Sequence, residues 1–237
     1  MPRVLVVTPT YDERENLAWL VHSVHGVLPD AHVLIVDDAS PDGTGDLADS
    51  LAAVDPRIHV LHRPRKLGLG TAYVAGFQWA LARDYDLVVE MDADLSHDPA
   101  FLRAFLDAFA EGADVVVGSR RVPGGGVSGW DARRHVLSQG GSLYSRLVLG
   151  VSVRDLTTGY KAYTRHALET IDVASLTSNG YSFQIETSYR ALEKGLRLVE
   201  VPILFVDRRA GHSKMNGSIV VEAVLMPWRL RFGRSRA

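Results

Sequence analysis

The sequence predicts an α/β protein, a mostly parallel sheet with helices on both faces, and three observations carry that reading. Short apolar runs (Val4 to Val7, Val33 to Val36, Ile58 to Leu61, Leu87 to Met91 and Val115 to Gly118) have the length and β-branched content of buried strands. Longer stretches of helical character separate them, which is the alternation of a βαβ chain. Several runs also stop abruptly at acidic or glycine-containing turns, at the strand edge where open α/β sheets hold their ligands.

The first strand ends at Thr8-Pro9-Thr10-Tyr11, and Asp12, Glu13 and Glu15 fall in the first turn of a helix to about Val27, where acidic groups suit the dipole. The second strand closes on Asp37-Asp38-Ala39-Ser40-Pro41-Asp42-Gly43, and a helix runs on from Thr44 to about Val54. A basic, glycine-rich loop from Arg63 to Gly70 precedes a helix to Arg83, and Pro99 to Ala110 reads as the next helix. Arg120 to Gly129 is expected as a mobile loop, since Gly124-Gly125-Gly126 reaches backbone angles closed to other residues. Arg133 to Leu149 reads as helix, with Gly140 and Gly141 implying close packing or a break. Asp155 to Tyr163 is polar and glycine-containing before a strand, Phe183 to Lys194 is an amphipathic helix, Leu198 to Pro202 a late strand, Asp207 to Gly217 a basic loop, and Ser218 to Phe232 an apolar helix interrupted by Pro227.

With 237 residues, 46% of them hydrophobic, the chain fills one core with a small appendage, read as a domain over 1–217 and a C-terminal helix over 218–237. A formal charge of −2 argues against a general nucleic-acid binder. The absence of cysteine removes disulfides, thiolate metal sites and thiol nucleophiles. The N-terminal apolar run of four residues is too short for a signal-peptide core, and no apolar run reaches eighteen residues.

The stretch Leu87 to His97, LVVEMDADLSH, is the centre of the functional reading. Asp92 falls at the C-terminal end of a strand, and a period of two turns Asp92 and Asp94 the same way with Ala93 elsewhere. Paired hard oxygens suit Mg²⁺ or Mn²⁺ bridged to a phosphate; the competing reading is a polar turn in which Asp94 caps the segment beyond it. His97 is either a further ligand or a turn residue.

The segments PTYDERENL, VDDASPDGT, LGLGTAY, MDADLSH, GSRR with GGVSGWDARRHVLSQG, DLTTGYKAY, GYSFQIE and DRRAGHSKM together resemble the family-2 glycosyltransferases that make polyprenol-phosphate mannose, in order and over about Val4 to Met215. The resemblance implies a GT-A fold, Rossmann-like, and an inverting transfer of mannose from GDP-mannose to a polyprenol (dolichol-type) phosphate. It places the base and ribose against Pro9, Tyr11, Glu13, Val36 and Asp38, which lie beyond the first two strands. It assigns Asp92, Ala93, Asp94 and Ser96 to the family's DADxQ or DADxS stretch. The metal set is then Asp92, Asp94 and Ser96, with Asp94 the strongest ligand and Ser96 weaker than the Gln carbonyl it replaces. Arg208 and Lys214 resemble a late basic loop closing over the diphosphate.

Asp92, Asp94 and Arg120 are the expected catalytic groups, and Arg120, Arg134 and Ser138 the acceptor-phosphate groups, Arg134 and Ser138 sharing one helical face. A phosphate monoester is already an anionic nucleophile at neutral pH, so neither Glu186 nor Asp155 is required as a strong base. The apolar residues and arginines from Ile219 to Arg236, with Trp228, suit either packing on the sheet or peripheral contact with an anionic bilayer on its cytoplasmic face; a membrane-embedded partner would serve equally. Two other readings keep the fold: a polyprenol-phosphate glucosyltransferase using UDP-glucose, and a non-catalytic nucleotide-sugar-binding subunit.

Overall fold

A computed structural model describes residues 2–130, 132–176, 178, 180–207 and 217–233, with the backbone alone for 132–134, 181 and 217–223. β1 (Val4–Thr10), α1 (Arg14–Val27), β2 (His32–Asp37), α2 (Thr44–Val54) and β3 (Ile58–His62) form two parallel βαβ steps. α3 (Leu69–Leu81) leads to β4 (Leu87–Glu90), which pairs in parallel with the other side of β1. A 3-10 turn at Pro99–Phe101, α4 (Leu102–Ala110) and β5 (Val115–Ser119) come next. After β6 (Gly126–Ser128) and α5 (Ala132–Leu149) come β7 (Lys161–Thr164), α6 (Arg165–Thr170), α7 (Gly180–Glu193), β8 (Leu198–Pro202), β9 (Leu204–Val206) and α8 (Gly217–Phe232).

The main sheet runs β3-β2-β1-β4-β7-β5-β8, parallel except for β7, which is antiparallel to β4 and β5 on either side. The mostly parallel α/β class holds, and β7 is the departure from simple alternation. Three expectations are corrected. Gly126 to Ser128 is a strand, not part of a mobile loop, because its backbone pairs with Leu204 to Val206. α5 runs through Gly140 and Gly141 without a break, and a Cβ on either would meet nothing within 4 Å, so close packing is not their reason. α8 continues through Pro227, whose missing N–H costs one helical hydrogen bond without ending the helix.

Alternation along the strands builds a core on each side of the sheet. Val4 and Val6 face α1, α2 and α4, while Leu5 and Val7 face α3, α6 and α7. Gly76 lets α3 lie against β1, since a Cβ there would stand 2.4 Å from Val7 Cγ1. A third cluster joins Leu149, Val153, Leu156 and Ile185 with Leu230 of α8, so the C-terminal helix is packed against the body of the protein.

At the edge opposite the strand C-termini, His32 Nδ1 lies 2.9 Å from His59 Nε2, and the Tyr85 hydroxyl lies 2.9 Å from His32 Nδ1. Burial, helped by Arg3 at His32 and by the neighbouring His32 at His59, holds both imidazoles below their ordinary range. The unfolded chain therefore takes up more protons than the folded one as pH falls below about 6.5, and stability drops over that window. The melting temperature is expected to fall between pH 7 and pH 5, and to fall less in His59→Gln; an equal slope in the two proteins would contradict the pairing.

Candidate active site at the β1–β4 crevice

Strand order reverses beside β1, which sends β2 to one side and β4 to the other, and such a reversal opens a crevice at the strand C-termini. The loops after β1, β2 and β4 each hold one non-glycine residue at positive φ, Asp12 (60°), Ala39 (55°) and Leu95 (63°). Conformations of that cost persist where surrounding contacts enforce them, and they cluster at functional loops.

The first two loops are locked together. Asp37 accepts from Thr10 Oγ1 at 2.9 Å and Ser40 Oγ at 2.6 Å, and Asp42 accepts from Thr44 Oγ1 at 2.5 Å and from the Arg14 N–H at 3.1 Å. Asp38 is buried, paired with Arg63 at 2.8 Å, and accepts from the Leu67 N–H at 3.0 Å. It thus anchors the basic glycine-rich loop, whose Lys66 ammonium lies 3.7 Å from the centroid of the Tyr11 ring. Pro9 and Val36 are register partners, but the Val36 side chain is wholly in the core, so only its backbone faces the crevice. Glu13 accepts from Asn16 Nδ2 at 2.9 Å, and its own N–H donates to Thr44 Oγ1.

β4 ends at Glu90, and Asp92 to Ser96 turn beyond it. The alternation read from the sequence survives in burial, with Ala93 in the core and Asp92 and Asp94 half-buried. Asp92 Oδ1 accepts from the buried Tyr73 hydroxyl at 2.7 Å, and the Asp92 N–H donates to His97 Nδ1 at 3.1 Å. That bond leaves the proton of a neutral His97 on Nε2, and burial holds the imidazole below its ordinary range. His97 is buried and stacks on Tyr160 at 4.9 Å, the arrangement of a structural turn residue. Ser96 is buried too and donates its hydroxyl to Asp94 Oδ1 at 2.6 Å.

This donor set suits a hard divalent ion. Two half-buried carboxylates lie within one turn, and among the described residues no cluster of three His, Cys, Asp or Glu competes. Mg²⁺ and Mn²⁺ sites of this kind take one or two protein carboxylates and complete their shell with phosphate oxygens and water.

Behind the carboxylates lies Glu90, which no reading of the sequence singled out. It is wholly buried opposite Lys161, its register partner on β7. Burial pushes Glu90 up to about 8 against the pull of Lys161, whose ammonium donates to the Gln184 carbonyl at 2.6 Å. A charge interrupting the apolar run LVVEM was the available signal.

Arg120 follows β5 and is committed to Asp155 through two bonds of 2.7 Å, with a third to Thr157 Oγ1 at 3.0 Å. Its guanidinium lies 5.5 Å from the centroids of both Trp130 and Phe205. Burial alone would raise Asp155; Arg120, and Arg121 behind it, outweigh burial and hold the carboxyl below its usual range. Glu200 turns its carboxylate to the N–H groups of Arg154 and Asp155. Ser138, on α5, accepts from Arg121 Nη2 at 2.8 Å. Arg134 is placed by the α5 backbone alone, and Arg208 and Lys214 lie outside the described residues. Tyr73, Glu90, Lys161 and Arg121 are the site groups that sequence reasoning missed.

A crevice at a switch point, a turn of two aspartates and a buried arginine–carboxylate pair thus lie at the C-terminal edge of a mostly parallel α/β sheet flanked by helices. The chain belongs to the Glycosyl transferase family 2, which it matches over residues 5–172. It is 53% identical to the polyprenol monophosphomannose synthase of Mycolicibacterium smegmatis, over 99% of this chain and 90% of that protein. It is 52% identical to the undecaprenyl-phosphate mannosyltransferase of Micrococcus luteus, over 94% of this chain and 91% of that one. In fold it resembles glucosyl-3-phosphoglycerate synthase from Mycobacterium tuberculosis in complex with Mn²⁺, UDP and glucosyl-3-phosphoglycerate, at a TM-score of 0.68 and 19% identity, covering all of this chain and 82% of that one. Mannosyltransferase PcManGT from Pyrobaculum calidifontis, in complex with GDP-Man and Mn²⁺, gives 0.63 at 17% identity, covering 100% and 66%.

Removing one partner of a buried ion pair strands the other charge, at about 3–5 kcal/mol. Asp155→Ala is therefore expected to lower the urea midpoint by an amount equivalent to that range, and a shift corresponding to under ~1 kcal/mol would show that Arg120 finds another partner.

Proposed function

We propose that the protein transfers mannose from GDP-mannose to the monophosphate of a polyprenol with inversion, giving polyprenol-phosphate mannose. The observation that carries the reading is the Asp92–Asp94 turn, held by Tyr73 and Ser96 at the β1–β4 crevice, in a chain more than half identical to two enzymes named for lipid-phosphate mannose chemistry. The guanosine and ribose lie against Pro9, Tyr11, Glu13, Val36 and Asp38, and Arg208 and Lys214 approach the diphosphate. Asp92 and Asp94 would hold a divalent ion, which would supply positive charge to the departing diphosphate.

Arg120, Arg134 and Ser138 receive the acceptor phosphate. That phosphate is anionic at neutral pH, so the protein's own residues orient it behind the anomeric carbon without taking a proton from it. Their fixed charges stabilise the developing charge on either side.

A lipid acceptor calls for contact with a bilayer, and two neighbouring helices each carry several exposed apolar side chains. Val136, Leu143 and Leu147 on α5 and Val224, Trp228 and Phe232 on α8 are all about half exposed or more. Trp228 Nε1 donates to the Tyr144 hydroxyl at 2.7 Å, which donates in turn to the Val224 carbonyl at 2.7 Å, so the two helices present one surface. Arginines 229 and 231 flank it in the last turn of α8. An apolar face with an interfacial Trp and basic neighbours suits peripheral association with anionic lipid. Among the described residues no helix is long and apolar enough to cross a membrane.

Calorimetric titration should show GDP-mannose binding in the presence of Mn²⁺ and little response to UDP-glucose; the reverse preference would replace the donor. Asp94→Ala is expected to abolish transfer while keeping the wild-type melting profile, because the residue sits in a half-buried turn, and near-normal turnover in saturating Mn²⁺ would remove Asp94 from the site. For the membrane face, Leu143→Glu with Leu147→Glu is expected to cut sedimentation with anionic vesicles several-fold at unchanged GDP-mannose affinity. Undiminished sedimentation would place the contact elsewhere.

A further inference from the structure

Gln184, in the first turn of α7, is held by its backbone while its side chain is left without a bond. Its carbonyl accepts from Lys161 Nζ at 2.6 Å, from Ser188 Oγ at 3.1 Å and from Thr187 Oγ1 at 3.2 Å. The residue is 3% exposed, yet neither Nε2 nor Oε1 of its amide has a hydrogen-bond partner among the described residues. Leaving both ends of a buried amide unpaired is costly and calls for a partner outside the chain's own hydrogen bonds.

The amide borders the crevice. The point that a Cβ on Gly159 would occupy lies 3.5 Å from Gln184 Nε2 and 3.4 Å from Asp92 Oδ2, so the missing side chain leaves a gap between the two. Gly159 and Asp92 are both partly exposed, which puts the gap at the wall of the crevice and not within the core. The loop that ends there begins at the other functional group: Asp155 and Thr157 accept from the Arg120 guanidinium, and Gly159 follows two residues later. In the proposed reaction the hexose is joined to the diphosphate at Asp92 and Asp94 and is attacked from the side of Arg120, so its ring passes over this loop and beside the Gln184 amide. An amide donates through Nε2 and accepts through Oε1, which matches a sugar hydroxyl that does both. The competing role is internal, because Glu90 is near enough for Gln184 to favour its charged form.

We infer that Gln184 is a specificity-determining residue of the transfer, its amide hydrogen-bonding one hydroxyl of the donor's hexose. The inference rests on the proposed function and deepens it, by giving a sugar contact to a residue that none of the expected site sets contains.

The test compares GDP-mannose with analogues that each lack one hydroxyl of the mannose, in the wild type and in Gln184→Met, whose side chain is similar in length and lacks the polar amide. In the wild type one analogue is expected to lose about 10- to 100-fold in kcat/KM, because it leaves the amide unpaired. Gln184→Met is expected to lose as much with GDP-mannose itself and to use that analogue and GDP-mannose within about 3-fold of each other, so the discrimination collapses. Binding of GDP, which carries no sugar, should stay within about 3-fold of wild type by calorimetry with Mn²⁺. The melting temperature should be unchanged or higher, since the substitution removes buried polar atoms that pair with nothing in the protein. A variant that fails to fold, or melts well below the wild type, shows that the amide is spent on Glu90 and overturns the assignment. A variant in which every analogue keeps its wild-type penalty overturns it too, as does a loss shared equally by GDP. If the wild type transfers nothing from GDP-mannose, the proposed function fails and takes this inference with it. If the wild type turns over and uses all the analogues equally, or its discrimination survives in Gln184→Met, this inference alone fails.

Discussion

The clamp on Asp92 is the interaction on which the rest of the site depends. Tyr73 reaches it from α3, and His97 takes its backbone N–H from the far side of the turn. Both partners are buried, so the carboxylate is fixed by the core beside β1, where strand order reverses. Gly159 is part of the same arrangement, because a Cβ there would lie 3.4 Å from Asp92 Oδ2 and 3.5 Å from Gln184 Nε2. Preorganisation of this kind is what a transfer reaction with little covalent work for the protein requires.

Charge is distributed in the same spirit. The aspartate turn offers negative oxygens for an ion, while the arginines beyond β5 offer positive charge a short way along the same sheet edge. In the proposed reaction the first set serves the diphosphate through a divalent ion and the second the acceptor monoester. Glu90 and Lys161, register partners on β4 and β7, lie buried beneath.

Much of this was legible in the residues. The five principal strands and the α2 and β8 boundaries follow from apolar runs and flanking turn residues, and the Asp92–Asp94 turn stood out as a charge at the end of an apolar strand. β7 was misplaced: a strand was expected beyond the polar stretch Asp155 to Tyr163, whereas it is KAYT, four residues whose pairing with β4 and β5 is set by partners about 45 to 75 residues away. β6 was hidden for the same reason, its glycine-rich sequence pointing to a loop while Leu204 to Val206 supplied the missing hydrogen bonds. Arg120 and Arg121 are adjacent and chemically identical, so no pattern could say which one Asp155 would neutralise. Tyr73 stood in a recognised motif, yet its role needed the distance to Asp92.

The most direct measurement is the anomeric configuration of the product. Purified protein with GDP-mannose, Mn²⁺ and a polyprenyl phosphate is expected to yield a lipid-extractable mannosyl phosphate whose one-bond carbon–proton coupling at the anomeric centre reports the β configuration, inverted from the α-linked donor. An α-linked product, or label that never enters the lipid fraction, would contradict the account.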